Sequence, residues 1–320
     1  KKIIMNWIKK KISEIKASAK KIIRKMPAFS EIEASPWMSC ECSGPILKSE
    51  MRKSLFVCPK CNKHHRIDCR ERFNSFFGSD NYKILNIPID KSFDDPLKWV
   101  DQKPYIEKLK AARKKTQQNC AVEFAVGKLE NGIEVTVGAM SFSFLGASVG
   151  IHEGNTILAG VNSAIENKTP LIFFPCGGGQ RLHESLFALS QMSRTTVAIL
   201  HYRKTNLPYI VCFTDPTSGG ITGSFASLGD INLAEPNCMI GFAGPRVIRA
   251  TVPDQIMKED FQKSESVLKH GFVDHIVERK DIKKTITNLL SILLKKNELK
   301  TFDEESSENK ASPKKVASAS

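Results

Sequence analysis

Two stretches of this chain repeat one pattern, and that pattern restricts the fold more than any other feature. Glu166-Asn-Lys-Thr-Pro-Leu-Ile-Phe-Phe runs into Pro175-Cys-Gly-Gly-Gly179, and Lys204-Thr-Asn-Leu-Pro-Tyr-Ile-Val-Cys-Phe runs into Thr214-Asp-Pro-Thr-Ser-Gly-Gly220. Each is an apolar, partly β-branched run of buried-strand type, then a Gly-rich turn, then a stretch of helical character. Glycine between a strand and a helix leaves N–H groups without partners and lets a ligand approach the main chain. The helix dipole favours negative charge at the same point. Two such turns predict a site that holds developing oxyanions with peptide amides rather than with a side-chain nucleophile.

The rest of the chain divides around this repeat. Its 320 residues suffice for one large domain with an appendage, or for two domains. Hydrophobic content of 41% and charged content of 26% are those of a globular protein, and no apolar run is long enough to span a bilayer. The net charge of +14 is concentrated: residues 1–25 hold ten Lys/Arg and one Glu, a net of +9. This arm, within segment 1–34, reads as a basic amphipathic helix with Ile4, Ile8, Ile12, Ile15, Ala19 and Ile22 on one stripe. Docking on a partner or membrane surface, organelle targeting, and a solvated helix with one packed stripe all fit it. Met5 reads as the native start, with Lys1–Ile4 ahead of it. Residues 35–72 form a Cys-rich module, 73–120 a polar, mostly helical connector, 121–298 the main domain and 299–320 a disordered Ser/Glu/Lys/Ala-rich tail. In the main domain, strands are expected near 121–126, 132–140, 170–174, 208–213 and 237–242. Helices are expected near 153–166, 181–204, 222–233 and 281–296. That alternation predicts an α/β fold with parallel strands and crossover helices.

Nine cysteines, scattered or closely clustered with no secretory signal ahead of them, indicate a reducing cytosol and metal ligation rather than disulfides. Cys58-Pro-Lys-Cys61 is a C-x-x-C knuckle, and Cys40-Glu-Cys42 is a shorter upstream pair. Four thiolates so spaced suit one tetrahedral structural zinc, with His64 or His65 as substitutes in a site of three cysteines and one histidine. Lys48, Arg52, Lys53, Lys60, Lys63, Arg66, Arg70 and Arg72 surround the module. They fit phosphate contact with nucleic acid, or simple solvation of a small domain.

Further Gly-rich loops follow the other strands. Gly146 and Gly150 precede the helix near 153–166, and Gly244 and Arg246 follow the strand near 237–242. Arg181, one step past Gly177-Gly-Gly-Gln180, offers a fixed positive charge for an anion, or pairs at the surface with Glu184. No P-loop lysine or H-E-x-x-H motif is present, and His152, His183, His201, His270 and His275 show no evident partners.

The order of Cys module, Phe142-Ser-Phe-Leu-Gly-Ala-Ser-Val-Gly150, Gly177-Gly-Gly-Gln-Arg181, Thr214-Asp-Pro-Thr-Ser-Gly-Gly220, Asn232-Leu-Ala-Glu-Pro-Asn237 and Ile240-Gly-Phe-Ala-Gly-Pro-Arg-Val-Ile248 resembles the bacterial and plastid acetyl-coenzyme A carboxylase carboxyltransferase β-subunit family. The resemblance implies a crotonase-like ββα superhelix (ClpP/crotonase type) with a small N-terminal zinc ribbon. It implies transfer of a carboxyl group from carboxybiotin on a carrier protein to acetyl-CoA, giving malonyl-CoA for fatty-acid synthesis. It implies a separate α subunit in an α2β2 heterotetramer, a biotin carboxyl carrier protein, a biotin carboxylase, and a cytoplasmic (bacterial cytosol or plastid stroma) setting. ATP and nucleotide binding belong to the same family picture. The oxyanion donors map onto Gly219 and Gly220, with Gly178 and Gly179 in the companion loop. Arg181, Gly146, Gly150, Gly244 and Arg246 map onto substrate binding, and Cys40, Cys42, Cys58 and Cys61 onto one structural Zn2+. The chain departs from the family at Cys40-Glu-Cys42, one residue short of a C-x-x-C, and at Gln180, His183 and Leu145–Gly150. A biotin-independent decarboxylase subunit for malonyl-type acyl-CoA and a nucleic-acid-binding regulatory paralogue are the alternatives.

Overall fold

A computed structural model describes residues 36–294 except 43, 80, 245, 246, 249 and 251–259. The basic arm, the tail from 299 and Arg246 therefore lie outside the described residues. The Cys module opens with a hairpin of β1 (Trp37–Cys40) and β2 (Gly44–Leu47), followed by a short α1 (Lys48–Lys53). Helix α2 (Cys69–Phe77), capped by the Asp68 carboxylate on the Glu71 amide, leads to β3 (Tyr82–Ile84) and α3 (Tyr105–Thr116). Then come β4 (Val122–Lys128), β5 (Glu134–Met140), α4 (Ile151–Glu166), β6 (Leu171–Phe174), α5 (Ser185–Arg203), β7 (Tyr209–Phe213) and β8 (Thr217–Ser218). The chain continues through β9 (Ile231–Ala234), β10 (Ile240–Gly241), α6 (Ser264–Lys269), β11 (His275–Ile276) and α7 (Ile282–Leu293).

The main sheet has the order β11-β9-β7-β6-β5-β4-β3. From β5 to β11 all neighbours are parallel, whereas β3, β4 and β5 form an antiparallel edge. Both faces of the centre are covered, so its strands are apolar throughout rather than alternating. Phe173, Tyr209, Val211 and Phe213 pack on one face with Ile157, Val161 and Ile199 of the crossover helices. Ile172, Phe174, Ile210 and Cys212 pack on the other with Phe73 and Phe76 of α2 and Ile286 and Leu290 of α7.

A second, narrower ladder runs beyond the strand ends. It comprises the parallel pair β8–β10 and the single bridges Val149↔Gln180 and Gly177↔Thr217. Each unit thus places one strand in the broad sheet, a short second strand in the narrow ladder, and usually a helix after it. This is the ββα repeat of a crotonase-like fold.

The connector is less separate than its polarity predicts. α2 belongs to the core beneath the sheet, and β3 pairs with β4. The helix expected over 222–233 does not form: turns and a 3-10 segment at Phe225–Leu228 lead straight into β9. There the Ser224 and Ser227 hydroxyls donate to the Gly220 and Thr222 carbonyls, the local competition by which Ser and Thr unseat helices.

Candidate active site

Parallel β5, β6 and β7 bring their exits to one edge, so the glycine loops expected from sequence converge there. Loops 175–180 and 214–220 are laced together. The Ser218 amide donates to the Gly177 carbonyl at 3.0 Å. The Thr214 hydroxyl donates to the Pro175 carbonyl at 2.7 Å, and the Thr217 hydroxyl lies 3.0 Å from the same oxygen. A methyl built on Gly219 would sit 3.0 Å from the Gly179 Cα, and one on Gly179 would sit 3.3 Å from the Gly220 nitrogen. Residues with side chains at these positions would hold the loops apart.

The four expected donors are not equivalent. The Gly178 amide donates to the Gly146 carbonyl at 3.3 Å, and the Gly219 amide to the Phe242 carbonyl at 2.9 Å. Both are spent inside the chain. The amides of Gly179 and Gly220 have no acceptor among the described residues. Gly146, Gly178 and Gly244 face open space, with no atom within 4 Å of a built Cβ. A cavity of about 850 Å³ opens beside the loop, lined by Thr222, Gly223, Ile240, Gly241, Phe242 and Phe272 among others. It flanks the glycine pair rather than enclosing it.

Two substrate-binding expectations are corrected. Arg181 is buried, and its guanidinium donates to the Ser148 carbonyl and hydroxyl, the Tyr105 hydroxyl, Glu184 and Glu153, the last at 2.7 Å. No N–H remains for a substrate anion, and the Arg181–Glu184 pair is internal rather than a surface pair. Burial alone would raise the Glu153 carboxyl; Arg181 outweighs that and holds it below its usual value. Gly150 is likewise internal. Its amide donates to Glu153 at 2.9 Å, Ile151 donates to Glu184, and a Cβ on Gly150 would strike the Glu184 carboxylate at 2.5 Å. The N-terminus of α4 is thus filled by the protein's own carboxylates.

Gln180 and Met192 lean over Gly220, each with an atom 2.8 Å from a built Cβ there. Gln180 is anchored through Nε2 to the Ala188 carbonyl at 2.9 Å. His183 stacks on Tyr105, with ring centroids 4.8 Å apart. His152 does have a partner: it is buried against Asp94 at 2.7 Å, a pairing with no signature in the sequence.

In the Cys module, the ligand atoms of Cys40, Cys42, Cys58 and Cys61 lie within 4.8 Å of one another. The closest pairs stand 3.5, 3.7 and 3.5 Å apart. A tetrahedral ion with Zn–S bonds of about 2.3 Å requires about 3.8 Å between sulfurs, so the cluster fits. The amides of Cys61 and Lys60 pull the Cys58 thiol down to about 6, and Cys42 beside it pushes Cys61 up to about 12. The short Cys40-Glu-Cys42 pair reaches the cluster because Cys40 ends β1 and Cys42 sits in the hairpin turn.

His64 is not in the cluster. It bonds Glu278 at 2.8 Å and faces Glu235 at 3.5 Å. The basic rim is also largely committed: Arg52 pairs with Glu71, Lys63 with Glu41, Arg66 with Asp215, Arg70 with Glu123 and Arg72 with Glu235. That commitment weakens the nucleic-acid alternative.

Residues 89–318 match the family described as the carboxyl transferase domain. Fold and loops together thus define a carboxyl transferase domain of crotonase type. The acetyl-coenzyme A carboxylase carboxyl transferase subunit beta of Pelagibacter ubique (strain HTCC1062) is 51% identical over 98% of this chain and 100% of its own length. Among solved structures, transcarboxylase 12S superposes with a TM-score of 0.55 at 19% identity, over 76% of this chain and 46% of that one. A Pseudomonas malonate decarboxylase hetero-dimer gives a TM-score of 0.53 at 19% identity, over 76% of this chain and 92% of that one. The two structural likenesses concern the fold. The chain belongs to the acetyl-coenzyme A carboxylase carboxyl transferase subunit beta family. ATP or nucleotide binding, part of the expectation, is carried by none of these names.

Proposed function

We propose that this chain is the β half of a carboxyltransferase that moves a carboxyl group from carboxybiotin on a carrier protein to acetyl-CoA, giving malonyl-CoA. The observation that carries the reading is the pair of apposed glycine loops, with the Gly179 and Gly220 amides free of acceptors among the described residues. Carboxybiotin, delivered by its carrier protein, supplies the carboxyl group. The chain supplies main-chain donors that stabilise the thioester oxygen as it gains charge, each worth about 3 kcal/mol where such donors have been removed. They cost no reorganisation, because the laced loops fix them beforehand. The cavity beside Thr222 and Phe242 suits the thioester arm, and Lys269 and His270 on its lining suit phosphate.

A separate α subunit completes the cleft. Leu182, Leu186, Phe187, Leu189, Val197 and Leu200, on and just before α5, are exposed, and Leu182 is 84% accessible. An apolar face of that kind marks a protein interface. The malonate decarboxylase of similar fold is described as a hetero-dimer. Biotin carboxylase and the carrier protein are the further partners, one zinc occupies the four cysteines, and the setting is the bacterial cytosol or plastid stroma. Among the described residues no helix is long and apolar enough to cross a membrane.

The test is co-purification with the α partner, followed by a carboxyl-transfer assay and metal analysis of the same sample. Malonyl-CoA formed from carboxybiotin and acetyl-CoA, with one zinc per β chain, is the expected result. Carbon dioxide released from malonyl-CoA without biotin, and no transfer, would replace this reading with the decarboxylase.

A further inference from the structure

The Cys module reaches the glycine loop through Arg66. Arg66 follows the second knuckle, and its Nε and Nη2 both donate to Asp215 Oδ2, at 3.2 and 3.0 Å. Its guanidinium lies over the Phe142 ring, 4.0 Å from the centroid, which fixes its plane. The other Asp215 oxygen accepts the Met239 amide at 3.1 Å. Asp215 is thus clamped between the module and the residue that leads into β10, and it opens the loop ending at Gly219 and Gly220.

Arg66 is itself held from behind. Val57 and His64 form an antiparallel bridge, and the Cys58 amide donates to the Lys63 carbonyl at 2.9 Å. Arg279 donates to the Leu55 carbonyl at 2.9 Å, and His64 bonds Glu278. The hairpin that presents Arg66 is therefore tied to the body at its base and gathered by cysteines at its tip.

We propose that Arg66 is a positioning residue for the transfer reaction: through Asp215 it sets the loop that aims the Gly220 amide. This rests on the proposed function of that loop. The pair is half-exposed, so its worth to global stability is small. Its effect is geometric. A loop displaced by about 1 Å can cost about 100-fold in rate with little change in binding, because the donor is needed most in the transition state.

Three variants in the complete α–β complex test this. Arg66→Ala should lower kcat by about 10- to 100-fold with KM for acetyl-CoA changed less than about threefold, and Arg66→Lys should restore part of kcat. Arg52→Ala, which removes a module arginine paired to Glu71, should leave kcat unchanged. In the isolated chain, which needs no substrate, Arg66→Ala should speed amide hydrogen exchange in 214–222 and leave the core strands as they were. If kcat is unchanged in Arg66→Ala, or if exchange rises throughout the molecule, Arg66 is not a positioning residue. If the wild-type complex transfers no carboxyl group but the exchange effect stays local to 214–222, the proposed function fails while the Arg66–loop coupling stands.

Discussion

A side chain at Gly220 and one at Gly219 meet different neighbours. At Gly220 the nearest atoms are the Gln180 and Met192 side chains, which can move aside. At Gly219 the φ of +63° and the Gly179 Cα at 3.0 Å oppose any Cβ. Gly220→Val should therefore lower turnover by at least about 100-fold while α-subunit association persists. Gly219→Ala should lose turnover and also about 1–2 kcal/mol of stability from the left-handed backbone. Steady-state kinetics with analytical size exclusion, and denaturant midpoints, separate the two effects. Arg181 belongs to another class. Arg181→Met leaves Glu153 and Glu184 buried without their cation, and should cost about 3–5 kcal/mol in denaturant unfolding. The glycine loops were legible because composition alone marks a strand exit that needs bare main chain. The burial of Arg181 was not, since Arg followed three residues later by Glu reads the same on a surface as in a core. Its deciding partners, Tyr105 and Glu153, are distant in sequence.

At the scale of elements, periodicity located β4 to β7, α4, α5 and α7 to within a few residues. It failed at 222–233, where apolar residues and small polar ones alternate without a clear period and Ser and Thr hydroxyls capture the carbonyls. The antiparallel edge β3–β4–β5 also escaped a reading based on strand–helix alternation. The Cys hairpin is the element whose stability depends least on a core. Cys58→Ser should release the metal and loosen residues 36–66, with the sheet unaffected. Zinc content by plasma emission, paired with near- and far-ultraviolet circular dichroism, checks this; retained stoichiometric zinc would contradict the four-cysteine site.

At the scale of the whole molecule, a buried carboxylate helps join the Cys module to the sheet. Glu235 follows β9 and is buried with Arg72 at 2.6 Å, Arg279 at 2.6 Å and His64 at 3.5 Å. Burial would raise its carboxyl, but Arg72 and Arg279 outweigh burial and hold it well below 4.5. Its pKa is thus lower folded than unfolded. The stabilisation it gives is complete above the unfolded value of about 4.3 and drains away as pH falls below that. Glu235→Gln should be destabilised at neutral pH and show a flatter acid limb than wild type in urea midpoints measured from pH 7 downward. Equal slopes would mean that Glu235 is not a source of the acid sensitivity. The Asn232–Asn237 motif was visible in the sequence, but its partners, from α2 and from beyond β11, were visible only in the fold.

A crystal structure of the α–β complex with a non-reactive acetyl-CoA analogue tests whether main-chain amides hold the thioester oxygen. The thioester oxygen should lie about 2.7–3.1 Å from the Gly179 or Gly220 nitrogen. Both amides donating to protein carbonyls, with the thioester held by a side chain instead, would contradict it.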